Sequence, residues 1–247
     1  MKLIMPMAGE GSRFSEQGYS TIKPLIEVNG LPMFVFAERC IGIDFDEHVF
    51  IIREEHSTEF SLDDIIKQYY PKAHIVKVNG VTEGAACTLM LAREHFEDGS
   101  DLFVSNCDQY IKWDSQKAVE LMNQDDVDGL IAVFKDPARD KKWSFAKVDD
   151  HNNVQEVAEK NPISEWATAG YYYWKNGKQF IKSVENMMAA NDRVNNEFYT
   201  CPVYNYTIKL EDSNNIKIFE VDKMMGTGTP ADLVLFNNTK RFYNYFR

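Results

Sequence analysis

Short apolar runs alternating with stretches of helical character fill the first half of the chain, and this alternation constrains the fold more than any other feature. Leu3-Ile4-Met5, Val49-Phe50-Ile51-Ile52, His74 to Val78, Leu102-Phe103-Val104-Ser105 and Gly129 to Phe134 read as strands. Between them, Pro32 sits at a first helical position ahead of Met33, Phe34, Phe36, Ala37 and Ile41, and Phe60, Leu62, Ile65 and Ile66 mark a helix over Thr58–Tyr69 that stops before Pro71. Thr82 is placed to cap a helix through Leu89, Leu91 and Ala92, and Ser115 to Asn123 supplies another. Strands separated by helices form βαβ units and hence a mostly parallel sheet. A short strand over Leu25 to Val28 ends at the turn dipeptide Asn29-Gly30.

After the charged connection Asp136 to Lys142 the texture changes. Strands are expected at Phe145–Val148, Val154–Ala158 and Thr168–Trp174, separated by Asp149-Asp150 and Asn152-Asn153, which indicates an antiparallel section continuous with the main sheet. Tyr171 to Trp174 reads as a packed strand, since alternate members face opposite sides. A helix over Lys178 to Ala190, a strand over Lys217 to Val221 and a helix capped by Thr229 with Pro230 at its first position complete the pattern. The aromatic, basic ending Lys240 to Arg247 is suited to docking on the body or on another subunit. No repeat is present. The expected organisation is one domain over 1–247, with a nucleotide-binding half (1–135) and an acceptor-phosphate-binding half (136–247).

The net charge of −11 argues against a nucleic-acid polymer as partner, because such binding neutralises many phosphates with Lys and Arg. Cys40, Cys87, Cys107 and Cys201 are widely spaced, fitting buried reduced thiols rather than a zinc or disulfide framework. No run has the length of a membrane span and the start lacks a secretory pattern, so a cytoplasmic location is expected.

The chemistry concentrates at Met7-Ala8-Gly9-Glu10-Gly11-Ser12-Arg13-Phe14, followed by Lys23-Pro24-Leu25. Glycines let successive amides point at one anion, Arg13 adds a planar fork and Lys23 a compact charge, which suits a polyphosphate. Taken alone, the same segment fits an ordinary strand-to-loop connection. Asp108 follows the strand ending at Ser105, on the sheet edge where ligands bind in such folds, and is a ligand type Mg²⁺ accepts; a local turn cap is its other reading. Glu83-Gly84-Ala85-Ala86 offers small residues for a flat ligand or for tight packing. Glu159-Lys160 suits hydroxyls and a phosphate of a second substrate, or a surface ion pair. The polar string Asp192 to Tyr199 suits pocket lining and helix capping equally.

A P-loop needs Gly-Lys-Ser/Thr, which Gly11-Ser12-Arg13 does not provide; a dinucleotide fingerprint needs a small residue where Phe14 stands; Gly-x-Ser-x-Gly is absent. The motifs in order, from Met7–Phe14 and Lys23-Pro24-Leu25 through Glu83–Ala86, Asn106-Cys107-Asp108, Glu159-Lys160 and Ala169-Gly170 to Gly226-Thr227-Gly228-Thr229-Pro230, resemble the sugar-phosphate nucleotidyltransferases, or pyrophosphorylases. The resemblance covers nearly the whole chain. It implies a Rossmann-like, nucleotide-diphospho-sugar transferase-like α/β fold: a mixed, mostly parallel sheet flanked by helices, with an antiparallel substrate-binding section. It also implies a loop of Ala8, Gly9, Gly11, Ser12 and Arg13 around the triphosphate, and Glu83 and Gly84 at the base. Arg13, Lys23 and Asp108 would be the catalytic residues, with Mg²⁺ on Asp108. Tyr110, Glu159, Lys160, Gly170, Asn196 and Glu197 would meet the acceptor.

The implied reaction joins an NTP, with CTP, UTP or dTTP favoured, to a sugar 1-phosphate or other phosphorylated small molecule, for surface polysaccharide or lipid modification. One departure concerns the metal. Many relatives carry a second metal-binding aspartate where this chain has Gly226; Asp222 is nearby but out of register, and Glu197 is the substitute considered. The long β-helix extension of some relatives is expected to be absent. Cytidylyl transfer to a non-sugar phosphate is the alternative chemistry, and a silent nucleotide- or sugar-phosphate-binding regulator the alternative class. Homo-oligomers are compatible with both.

Overall fold

The computed structural model describes residues 1–211 and 215–239. The ending Lys240 to Arg247 therefore lies outside the described residues. The strands are, in chain order, β1 (Lys2–Pro6), β2 (Glu27–Val28), β3 (Leu31–Pro32), β4 (Glu47–Arg53), β5 (His74–Val78), β6 (Leu102–Ser105), β7 (Gln109–Lys112), β8 (Gly129–Lys135), β9 (Ser144–Val148), β10 (Val154–Glu159), β11 (Trp166–Trp174), β12 (Ile216–Glu220) and β13 (Lys223–Gly226).

A nine-stranded mixed sheet organises the molecule. β5, β4, β1 and β6 are parallel neighbours, so the three βα crossovers that join them in chain order feed one face-covered sheet. Antiparallel pairing begins at β11, which borders β6 on one edge and β8 on the other, and joins β9 through Ala167 and Phe145. β10 extends β9 antiparallel, and β12 pairs parallel with β8.

Consecutive strand residues serve opposite cores, as a two-residue period requires. Ile4, Val49, Ile51 and Val104 face the helix Gly177–Ala189 with Phe180, Val184 and Met187. Leu3, Met5, Phe50, Ile52 and Phe103 face the opposite layer with Phe34, Leu62, Ile66, Ala118 and Met122. Within β11, Tyr172 and Trp174 join the first core and Tyr171 and Tyr173 the second, so this aromatic run packs on both faces. Trp174 stacks on Tyr204 at 4.2 Å, and the Tyr204 hydroxyl donates to the carbonyls of Leu130 and Tyr173. Each buried side chain of this size contributes about 1.5–3 kcal/mol.

Several local expectations are corrected. The single helix expected over Thr58–Tyr69 is two, Glu54–Phe60 and Leu62–Tyr69, because Ser61 adopts φ 51° between them. Thr82 does not cap the following helix, Ala85–Met90: Gly84 stands at the cap position, while the Thr82 hydroxyl donates to the Gly84 carbonyl at 3.0 Å. Leu25 ends a 3₁₀ turn, Lys23–Leu25, and only Glu27–Val28 is strand, joined to β3 through Asn29 (φ 53°) and Gly30 (φ 81°). Thr229 caps Pro230–Thr239 as expected, its hydroxyl accepting from the Asp232 N–H at 3.1 Å.

β7 and β13 were not anticipated. They pair antiparallel, Tyr110 opposite Met225 and Gln109 opposite Gly226, which carries the late glycine turn over Asp108. The thiols of Cys40, Cys107 and Cys201 are buried and Cys87 is half-buried, all free.

Candidate active site

β1 delivers the chain at the carboxyl edge of the parallel strands, where Met7 N–H still donates to the Ile51 carbonyl at 2.7 Å before the glycine turn begins. Gly11 has φ 65° and starts the short helix Ser12–Ser15; a Cβ there would stand 3.2 Å from Lys23 Cβ. Gly11 therefore supplies both the left-handed turn and the close approach of Lys23. Gly9 has open space where a Cβ would be, and is exposed, as are Ser12 and Arg13; Ala8 is buried. Phe14 pins the turn from beneath, in a cluster with Met33, Phe36 and Leu233.

Lys23 and Asp108 meet across this turn. Lys23 Nζ lies 2.9 Å from Asp108 Oδ2, with each side chain about one-fifth exposed (22% and 23%). Burial disfavours the charge on both groups, yet each holds the other ionised: Lys23 is raised above its ordinary value by Asp108, and Asp108 is lowered by Lys23 and by Arg13. Two distant segments fix the pair. Thr227 N–H donates to the Asp108 carbonyl at 2.8 Å, and a Cβ on Gly228 would overlap the Asp108 carboxylate, so only glycine lets the late turn close over it.

The arrangement fits a divalent cation. Asp108 is held anionic and uses Oδ2 for Lys23, leaving Oδ1, and the adjoining Thr227 hydroxyl is fully buried without a hydrogen-bond partner among the described residues. The carboxylate of Asp232 points toward the empty side-chain position of Gly226, its Oδ2 3.6 Å from where a Cβ would stand. Asp222 is exposed and within electrostatic reach of Lys117.

A second group forms around an open groove of about 570 Å³ lined by Val81, Thr82, Glu83, Asn191, Arg193, Asn196 and Glu197. Asn195 (φ 48°) and Asn196 (φ 64°) make a tight hairpin bridged by Val194 and Glu197, so this polar string is a turn rather than a helix cap. Its end is bonded to the Gly84 loop: Phe198 N–H donates to the Glu83 carbonyl at 2.8 Å and Ala86 N–H to the Phe198 carbonyl at 3.0 Å. Gly84 has φ 128°, and a Cβ there would lie 2.5 Å from Phe198 N. Arg193 pairs with Glu83 and lies over the Phe198 ring at 4.0 Å.

The third group is Glu159, Lys160 and Tyr199. Glu159 is buried and accepts from the Ser144 hydroxyl; burial pushes its carboxyl above the ordinary value, and the charge of Glu197 adds to that. Lys160, at φ 55°, donates to the Tyr199 hydroxyl at 2.6 Å. Gly170 (φ 82°) lies where a Cβ would come within 2.5 Å of Asn106 Nδ2, so its lack of a side chain seats Asn106 and Gln109. Tyr110 is different: its ring is buried between Phe36 (6.2 Å) and Phe236 (5.9 Å) and belongs to the core, which corrects its expected place beside the acceptor.

The residues missed from sequence are Ser144 and Asp232, while Arg193, Tyr199 and Thr227 lie in strings the sequence marks without giving each a role of its own. Arg193, Tyr199 and Thr227 act with Glu83, Lys160 and Asp108, far away in the chain, whereas Asp232 bonds to Thr229 three residues before it, a capping spacing that gives no sign of its approach to Gly226.

A model of the nucleotidyl transferase family matches residues 2–212. The chain belongs to that family. This nucleotidyltransferase shares its fold with solved structures at low identity. The nucleoside-diphosphate-sugar pyrophosphorylase from Vibrio cholerae RC9 is 22% identical with a TM-score of 0.78, covering 96% of this chain and 99% of that one. A structure from Bacillus anthracis described as a glucose-1-phosphate thymidylyltransferase in complex with a sucrose is 19% identical with a TM-score of 0.77, covering 100% and 98%. The inositol-1-phosphate CTP transferase from T. maritima is 13% identical with a TM-score of 0.71, covering 99% and 98%. No β-helix occurs among the described residues, and no described helix is long and apolar enough to cross a membrane.

Proposed function

We propose that this nucleotidyltransferase uses Mg²⁺ and an NTP to activate a sugar 1-phosphate or another phosphorylated small molecule. A phosphate oxygen of the acceptor attacks the α-phosphorus, the bond to the β-phosphate breaks, and its electron pair leaves on pyrophosphate. The attacking oxygen is already anionic, so no strong base is needed, and catalysis reduces to in-line positioning and neutralisation of charge. The observation that carries this reading is the Lys23–Asp108 pair, held ionised at the mouth of the glycine turn.

In this reading the amides of the largely exposed turn Gly9 to Arg13 and the Arg13 guanidinium receive the triphosphate, and Lys23 offsets charge on the departing pyrophosphate. Asp108 would hold Mg²⁺, which supplies Lewis-acid neutralisation of the phosphates; Asp232 is the better placed second carboxylate, since Glu197 acts on Glu159. Glu83 and Gly84 receive the base. Lys160 meets the acceptor phosphate, and Glu159, Gly170, Asn196 and Glu197 the rest of that molecule. CTP, UTP and dTTP are the favoured donors, the product serves surface polysaccharide or lipid modification, and the site of action is the cytoplasm.

Pyrophosphate release is the test. The four common NTPs are screened against glucose 1-phosphate, inositol 1-phosphate, phosphocholine and related phosphates, with and without Mg²⁺. One pair should release pyrophosphate only with the ion present, and Asp108→Asn should abolish it. Nucleotide binding without release in any combination would overturn the proposal in favour of a silent regulator.

A further inference from the structure

The opposite end of the parallel strands carries a cluster that the catalytic reading does not use. Glu47 opens β4, His74 opens β5 beside it, and His95 comes from the 3₁₀ turn Arg93–His95. One ligand atom from each lies within 4.8 Å of the others. His95 Nδ1 is 2.5 Å from Glu47 Oε1, His74 Nε2 is 3.6 Å from the same oxygen, and the two imidazole centroids are 4.8 Å apart.

An ordinary hydrogen-bonded network accounts for only part of this. His95 bonds to Glu47, and Lys2 reaches the other Glu47 oxygen at 3.6 Å and donates to the His95 carbonyl. His74 makes no hydrogen bond in that network, because 3.6 Å is beyond hydrogen-bond range, yet its Nε2 stands over the same carboxylate oxygen that His95 bonds. Lys2 is the one cation among these contacts, against Glu47, Glu94 (3.8 Å from His95 Nε2) and Asp98 (3.9 Å from Lys2 Nζ), so the local field favours a further positive charge.

We propose that Glu47, His74 and His95 bind one zinc-class transition-metal ion. Two imidazoles and a carboxylate are the donor set that borderline metals select and that Mg²⁺ does not. Bonds of about 2.0–2.1 Å require the donor atoms to stand roughly 3.3–3.5 Å apart. His95 and Glu47 must therefore part slightly, giving up their hydrogen bond, and His74 must turn inward. His74 is free to do so, with its side chain 56% exposed, while Glu47 (21%) and His95 (12%) form a firmer base. The ion would clip the starts of β4 and β5 to the turn at 93–95, with its remaining positions open to water. β1 separates it from the catalytic turn by about 13 Å, the length of four strand steps.

The test uses tag-free, metal-stripped protein and ZnCl₂ alone, titrated calorimetrically with excess Mg²⁺ present to fill sites made only of oxygen. Wild type should bind close to one zinc per chain, and His74→Ala and Glu47→Gln should each lose at least tenfold in affinity. Zinc at a hundredfold excess over the wild-type Kd should raise the wild-type Tm by roughly 5–10 °C and that of His74→Ala by no more than about half as much. Melting of the zinc-free His74→Ala protein near the wild-type temperature confirms that the fold is kept. Absence of zinc binding to wild type, or affinity and a Tm shift equal to wild type in both variants, overturns the proposal.

Discussion

Gly84→Ala tests how the base loop is joined to the far half of the chain. The new Cβ would lie 2.5 Å from Phe198 N and 2.5 Å from Phe198 O, and the residue would have to keep φ 128°. A non-glycine residue in that region costs about 1–3 kcal/mol, and an overlap with backbone cannot be relieved by a rotamer change. The chain has one escape: the hairpin at 191–199 lifts away from the loop. That forfeits the two hydrogen bonds of Phe198, worth about 1 kcal/mol each, and the Arg193 contacts with Phe198 and Glu83, worth about 0.5–1 kcal/mol each at a partly exposed site. The escape caps the loss at about 3–4 kcal/mol, so Gly84→Ala should cost about 2–4 kcal/mol. In urea denaturation this lowers the midpoint, and for a chain of this size it lowers Tm by roughly 5–15 °C. Gly9→Ala is the comparison, since a Cβ there meets nothing within 4 Å and stability should change by less than about 0.5 kcal/mol. Equal stability of the two variants would refute the reasoning. Amide exchange that stays protected at Phe198 and Ala86 in Gly84→Ala would refute the escape route.

Lys23→Ala should reduce turnover by about 100- to 1,000-fold in steady-state pyrophosphate release, the usual cost of removing one charge-stabilising donor; wild-type-like rates would remove Lys23 from the mechanism. Because Asp108 is lowered and Lys23 raised, the stability from their pair is intact at neutral pH, falls away only in acid as pH drops through the Asp108 pKa and in strong base as it rises through that of Lys23, and melts between pH 6 and 9 should show no step from it. Glu159 is raised instead, so it favours folding most below the unfolded carboxyl value of about 4.3 and costs stability as pH rises toward the folded one. Glu159→Gln should thus melt higher than wild type at pH 7, with the difference closing near pH 4, while acceptor KM rises. Tyr199→Phe removes the 2.6 Å partner of Lys160 and should change acceptor KM several-fold with NTP KM unmoved in initial-rate measurements.

The parallel sheet was legible because its strands are buried on both faces and leave unbroken apolar runs, as Val49 to Ile52 does. The helix break was not, since Ser61 reaches φ 51° without a glycine or proline to announce it. β7 and β13 escaped detection for another reason: each is four residues long, and Gln109 finds Gly226 across more than a hundred positions. The glycine turn, Lys23 and Asp108 stood out by residue type, and their pairing follows from the fold. Tyr110 shows the limit of proximity in sequence. Two residues beyond Asp108, the alternation of β7 turns its ring into the cluster of Phe36 and Phe236, away from the loops that hold the carboxylate.

The geometry of the hairpin bears on how one scaffold could serve different acceptors. Glu83 comes from the half that supplies the glycine turn, whereas Arg193, Asn196 and Glu197 come from the other, and all four line the same groove. The backbone bonds of Phe198 to Glu83 and Ala86 make the loop and the hairpin one mechanical unit. If the hairpin receives the acceptor and the Gly84 loop the base, as proposed, a change in either would shift the other through these bonds. The Lys23–Asp108 pair is insulated from such changes, because Gly11, Thr227 and Gly228 hold it and none of these belongs to the hairpin. On the proposed reading, donor and acceptor preference would be coupled to each other through Phe198, while Lys23 and Asp108 are fixed by separate contacts.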